Sequence, residues 1–397
     1  MKTTILLFFL SMLSSNLLFA QMTTNQDDQA TSPAVSPDNT KFIITGTANL
    51  GFIADKNADE KFNFNDYGLN PLFQWKPSQK MFIEAEIEIV PDAIELEYAK
   101  MSFVANPYLT IGVGRMLTPF GAYGERWEPL LLERFPNAPL RASDEYLPDD
   151  THLGWGAMLG VDARGKVALG SSKLNYAVFL SNGPQLSKDE AGNITGITQF
   201  ENLDDNNSNK GFGGRIGFIP FHNGSLEVGF SAYTGKAGDE NDALYKDIGA
   251  TAIALDLNYA KSINSIKSTI RVRGQFNSLT VDKAMYAVPD DPNGAMYTFD
   301  NTLQNYWGQI SFRPSLLDTK ILKNIELLFR YNSLTPPKDA AWAPKDENGK
   351  GGSITRTDIG LCYWLSWRTG LRLAYETTTL PDNSTSSQFL GRVVMGF

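Results

Sequence analysis

At 397 residues the chain is long enough for two soluble domains or one large barrel. Only 20% of its residues are charged while 12% are aromatic, a balance poor in charge and rich in rings for a soluble enzyme of this size. A formal net charge of −9 argues against nucleic acid as a partner, since phosphate binding needs clustered Lys and Arg, and the single Cys362 rules out an intramolecular disulfide.

The first twenty residues read as a secretory signal peptide. Lys2 supplies the positive start, Ile5 to Leu13 the apolar stretch, and Leu18-Phe19-Ala20 a cleavage site before Gln21. Ser11, Ser14, Ser15 and Asn16 break the apolar run, which falls short of the ~20 residues a spanning helix needs. No Cys follows it, so a lipoprotein anchor is excluded. Residues 21–40 are polar, contain Pro and lack any period; they are expected to form a disordered periplasmic leader. No later stretch approaches the helical spanning length, so a membrane segment beyond residue 20 must be made of strands.

From Lys41 onward, segments of about ten residues alternate apolar and polar between turn-formers, the repeated signature of a transmembrane β-barrel over 41–397. The first strand, 41–53, places Phe42, Ile44, Ala48, Leu50 and Phe52 outward against Thr45, Thr47 and Asn49. The second covers 66–76. The third, 82–89, sets Ala85, Ile87 and Ile89 against Glu84, Glu86 and Glu88, and the fourth sets Ile94, Leu96 and Tyr98 against Glu95 and Glu97. Lys100 and Arg115 break parity; a β-bulge or an exit from the hydrocarbon zone would absorb each. After a long irregular segment, 118–152, strands are expected near 153–164, 172–182, 211–219, 225–235, 247–260, 266–279, 303–313, 324–333, 355–364, 368–379 and 387–397. That is an all-β, antiparallel barrel of about sixteen strands.

Connectors alternate between short turns and long polar loops, the asymmetry of periplasmic turns and extracellular loops. Trp364 and Trp367 beside Tyr363 fit an interfacial girdle. The last strand puts Phe389, Gly391, Val393, Met395 and Phe397 on its outer stripe and Arg392 on its inner one. A terminal Phe on such a strand looks like the signal read by the barrel-assembly machinery. The destination implied is the outer membrane of a Gram-negative cell, with its lipid and lipopolysaccharide as surroundings.

Residues Leu96-Glu97-Tyr98-Ala99, Leu109 to Arg115 and Thr118-Pro119-Phe120-Gly121 resemble the early strands of the phosphate-selective porin O/P superfamily. The resemblance implies a passive, water-filled, trimeric channel whose third loop folds inward. Members selective for phosphate carry a Lys/Arg ladder at the constriction; the regular ladder here is glutamate.

The inward residues expected to line the pore are Glu84, Glu86, Glu88, Glu95 and Glu97 on one wall and Arg215, Arg271, Arg273, Arg330, Arg372 and Arg392 on the other. With about sixteen strands closing in order, an acidic wall faces a basic one across water, and neutralisation of the two as ion pairs is the alternative. Segment 118–152 is expected to be the constriction loop, with mixed charge from Arg115, Glu125, Arg126, Glu128, Arg134 and Arg141, and with Trp127 and Phe135 packing it against the inner wall.

Catalysis has little to stand on. His152, after Asp149-Asp150-Thr151, and His222, in a turn, are the only histidines, and neither has a nucleophile in an evident motif. Asp55 to Glu60 spaces oxygen ligands like the start of a calcium loop but has Glu60 where Gly is required, so a solvated acidic loop is favoured. Acidic outer loops would also accept divalent ions bridging to lipopolysaccharide. No metal, cofactor or enzymatic role is assigned.

Overall fold

A computed structural model describes residues 41–55, 62–140, 156–200, 203–289, 291 and 294–397. The predicted signal peptide and leader, Lys56 to Glu60, Arg141 and the Asp149–His152 cluster lie outside the described residues.

Among the described residues twenty strands run in chain order: β1 (Lys41–Asp55), β2 (Asn63–Ser78), β3 (Met81–Val90), β4 (Ala93–Asn106), β5 (Leu109–Leu117), β6 (Ala157–Leu169), β7 (Ser172–Ser181), β8 (Gln185–Lys188), β9 (Ile194–Gln199), β10 (Gly211–Ile219), β11 (Leu226–Lys236), β12 (Gly249–Ile263), β13 (Ser268–Val281), β14 (Met285–Ala287), β15 (Met296–Thr298), β16 (Thr302–Arg313), β17 (Ile325–Thr335), β18 (Ile354–Trp364), β19 (Thr369–Thr379) and β20 (Thr385–Gly396). Sixteen form a closed antiparallel barrel, and β8–β9 and β14–β15 are small hairpins in two of the long connections. β20 closes the cylinder on β1, from Thr47 opposite Gly396 to Asp55 opposite Gln388. Closure gives every strand two neighbours, the condition for a sheet to span a membrane without an open edge.

Burial runs inside out relative to a soluble protein. On β11, Val228 and Phe230 are exposed while Glu227 and Ser231 are buried; on β12, Ile253, Leu255 and Leu257 are exposed while Asp256 is buried. The period of two sends apolar residues to the outer face and polar ones inward. A charge on the outer face at the bilayer midplane would cost about 2–4 kcal/mol, which is why Arg and Asp occupy the inner stripe. Phe389, Val393, Met395 and Phe397 are likewise exposed.

The predicted barrel strands all appear, with their ends shifted. β6 begins at Ala157 and continues to Leu169, later than the pattern suggested. β4 required a correction. Glu86 pairs with Tyr98 but Ile87 pairs with Leu96, so Glu97 is the extra residue of a β-bulge. Tyr98 therefore shares the inner face with Lys100, rather than the outer one with Ile94 and Leu96. Arg115 follows the other alternative: it pairs with Ala99 and Leu159, on the outward stripe near the loop end of β5.

Most short turns gather at the end carrying Lys41 and Phe397, and the long connections, with the short β3–β4 and β19–β20 ones, at the other. At the loop end, Leu186, Ile194, Phe200, Tyr233, Tyr245, Tyr286 and Phe299 pack into one apolar cluster with Met116 and Phe120 of the inner wall. Tyr245 stacks on Tyr286, and Trp342 meets Phe299 edge-on. Burial there pushes the Tyr286 hydroxyl up to about 12, so it stays neutral and donates to the Asp282 carbonyl at 2.6 Å.

Candidate functional site: the lumen and its inner loop

Residues 118–140 run along the inside of the barrel. The Gly121 N–H donates to Ser231 Oγ at 2.9 Å, and the N–H groups of Ala122 and Tyr123 donate to Gln275 Oε1 at 2.8 and 3.0 Å. Gly121 has φ +65, and a Cβ there would fall 2.3 Å from Gln275 Nε2, so the entry turn admits only glycine. A π-helical turn, Tyr123–Trp127, then descends. Tyr123 and Trp127 both meet the Trp307 ring edge-on, at 5.5 and 5.7 Å between centroids. Arg126 pairs with Glu227, at the turn end of β11, and Leu131 lies against Gly396, at the turn end of β20. The chain then climbs, and the Leu140 N–H donates to Asn332 Oδ1 at 3.1 Å, high on β17. The segment travels nearly the length of the lumen and returns.

Its return arm covers the arginines of the later strands. Arg330 is fully buried, donates from Nε to Asp358 Oδ2 at 2.9 Å and from Nη2 to the carbonyls of Asn137 and Ala138, both at 3.1 Å, and to Asn137 Oδ1 at 2.6 Å; its guanidinium lies 4.4 Å from the Phe135 ring centroid. Arg372, also almost wholly buried, donates to the Leu130 carbonyl. Arg273 donates to the Leu132 carbonyl at 3.3 Å and stands 5.4 Å from the Trp127 ring. Arg271 and Arg134 share Glu326, at 3.3 and 3.2 Å, and Ser311 and Trp364 donate to the same carboxylate. Arg215 bonds Asp256 and Glu227. Arg392 sits opposite Arg372 across β19 and β20.

Among the described residues the later-strand arginines are covered by the inner loop and by carboxylates rather than forming the open basic wall anticipated from the pattern. Arg215, Arg271 and Arg330 meet carboxylates, and Arg273, Arg330 and Arg372 donate to loop carbonyls, since a buried guanidinium left without partners is costly. Glu227, Asp256, Glu326 and Asp358 complete these pairs; Asp162 meets Lys100 and Arg164, and Glu376 meets Arg356. Alternation alone marks them as inward, but apart from Arg164 beside Asp162 their partners lie more than ten residues away, some well over a hundred.

The acidic wall behaves differently. Glu84, Glu86 and Glu88 are half-buried along β3. Glu84 accepts from Gln74 Nε2 at 2.9 Å, and the charged groups acting on Glu86 are carboxylates, Glu97 and Glu88. Glu95 faces Glu88 and is exposed near the loop end. Tyr98, brought inward by the bulge, feels the charges of Glu86, Glu84, Glu97 and, from the descending arm of the loop, Glu125. Glu125 in turn meets Arg164, which joins Asp162 and, through it, Lys100 at 2.9 Å. Glu128 is half-buried beside the exposed Pro129. Arg115 belongs to β5 rather than to the loop. His222 lies in the turn after β10.

No family model matches the chain, and no curated protein matches it. Solved structures match its fold. Salmonella typhi OmpF, in a complex with daunomycin, is 11% identical with a TM-score of 0.57, over 91% of this chain and 99% of that one. The outer-membrane channel DcaP of Acinetobacter baumannii is 11% identical with a TM-score of 0.54, over 92% and 100%. An anion-selective porin from Comamonas acidovorans is 12% identical with a TM-score of 0.52, over 90% and 100%. At such identities the likeness establishes the fold alone: the chain is a sixteen-stranded barrel whose architecture matches these structures, and the finer likeness to phosphate-selective porins rests on residues 96–121 alone.

Proposed function

We propose that the protein is an outer-membrane porin, a passive channel for small hydrophilic solutes that favours cations. It reaches the membrane through its signal peptide, closes with Phe397 as its assembly signal, and conducts between the β3–β4 stripe and the descending arm of the 118–152 loop, which narrows the path. The trimer of the relatives it resembles is part of the same reading. The observation that carries it is the run of carboxylates Glu84, Glu86 and Glu88 along the inner face of β3, with Glu84 accepting from Gln74 Nε2 at 2.9 Å. Low-dielectric walls focus the field of such a cluster onto passing ions. No reaction is assigned to it.

The test is the reversal potential of single channels in asymmetric KCl. The wild type should favour K⁺, and Glu84→Gln/Glu86→Gln/Glu88→Gln should move the potential toward that of an unselective pore. An unchanged permeability ratio would remove the stripe from the mechanism. A second reading, a non-conducting barrel with a plugged lumen, draws on the loop's reach to Gly396 and on the apolar cluster at the loop end. Folded, heat-modifiable protein that gives no conductance steps would favour it.

A further inference from the structure

The return arm of the inner loop brings a cation up against cations. Arg134 reaches from the loop into a wall that carries Arg271 and Arg273 of β13, Arg313 of β16 and Arg372 of β19, and each of the four feels its charge. Two carboxylates answer these five guanidinium groups among the described residues. Glu326 is shared by Arg134 and Arg271, at 3.2 and 3.3 Å, and also receives Ser311 and Trp364. Glu133 receives the Tyr123 hydroxyl and the N–H groups of Arg134 and Phe135, and lies 3.9 Å from Arg330, which has Asp358 as its own partner. Positive charge is left over.

The surroundings do little to dilute it. Arg134 and Arg313 lie 5.8 and 5.5 Å from the Trp364 ring, and Arg273 lies 5.4 Å from the Trp127 ring. Arg273 is 8% exposed, and its buried Nε has no acceptor, while its Nη1 makes a long bond of 3.3 Å to the Leu132 carbonyl. Like charges away from water repel strongly, and a buried N–H without an acceptor adds its own cost. Arg134, Arg271, Arg273, Gln309 and Ser311 face a common gap. With the side chains as they stand it is too narrow for a free water molecule. The Arg271 side chain, 29% exposed, is long and flexible and turns to admit an ion from the lumen.

We propose that this gap is a binding site for a small oxyanion, which locks the return arm of the inner loop to the β13–β16 wall. Guanidinium forks match the edges of an oxyanion, and an ion held by separate arginines replaces their repulsion with a shared attraction. One arginine of the site belongs to the loop and two belong to the wall, so the ion bridges the parts. An anion that binds only the docked loop stabilises that state by mass action. The site concerns where the loop rests, and it stands whether or not the barrel conducts.

The experiment is trypsin digestion of the folded protein in detergent, following the cut after Arg126. Sodium sulfate at about 10 mM is compared with sodium chloride at the same ionic strength. A site half-filled at about 1 mM sulfate should slow the cut about ten-fold under these conditions. Arg273→Gln and Arg271→Gln should each lose the sulfate response, whatever their basal rate of cutting; a purely structural role would shift the basal rate and keep the response. Calorimetric titration of sulfate into the wild type should show saturable binding, and it decides the matter if neither variant assembles. Wild-type cutting that ignores sulfate, protection that persists in both variants, or the lack of saturable binding overturns the site. Conductance measurements bear on the channel reading alone, so the two fail separately.

Discussion

Arg330→Ala is the sharpest perturbation of the inner loop. The guanidinium is fully buried and joins Asp358 of β18 to Asn137 and Ala138 of the loop. Hydrogen bonds to a charged group contribute roughly 1.5–3 kcal/mol each, and breaking a buried ion pair costs roughly 3–5 kcal/mol because the remaining charge is stranded. Asp358 keeps donors from Asn137 and Asn332, both near 3 Å, which lowers the second figure. A loss of about 4 kcal/mol in the docking of residues 130–140 is therefore expected, close to a thousandfold shift in the ratio of docked to released loop. The barrel itself should survive, since its strands keep their ladders. Limited trypsin digestion of the folded protein should cut at Arg126 and Arg134 in the variant and spare the wild type, and single-channel current should become noisier. Arg330→Met/Asp358→Leu, which strands no charge, should recover part of the loss. Equal protease resistance and equally quiet current in Arg330→Ala would refute the view that this residue pins the loop.

Gly121→Ala should loosen the loop at its entry. It forces an L side chain into left-handed backbone, at about 1–2 kcal/mol, and displaces the Gln275 amide that receives Ala122 and Tyr123; wild-type protease resistance would count against this. Phe397→Ala leaves the paired backbone bonds between residues 397 and 46, at 3.0 and 3.3 Å, in place. It should lower the assembled fraction in cells while refolding in detergent stays normal, and equal loss in both would mean the ring serves closure rather than recognition.

What was legible and what was not divides at β4. A run such as Phe82 to Ile89 declares its two faces because strand side chains alternate whatever lies beside them. The bulge at Glu97 is a property of two strands, one residue more on one than on the other, so neither strand alone announces that Tyr98 has turned inward. The inner loop shows the same limit: Trp127 and Phe135 were recognisable as packing residues, but not that they would shelter Arg273 and Arg330.

Local alternation, the lengths of the connectors and the greasy final strand were enough to specify a closed membrane barrel, because these are consequences of backbone geometry and lipid, both read residue by residue. The fate of the charges was decided only in three dimensions. Whether an inward arginine meets water, a carboxylate or a loop carbonyl depends on what folds over it, and desolvation makes that contact, rather than the residue's parity, govern its role.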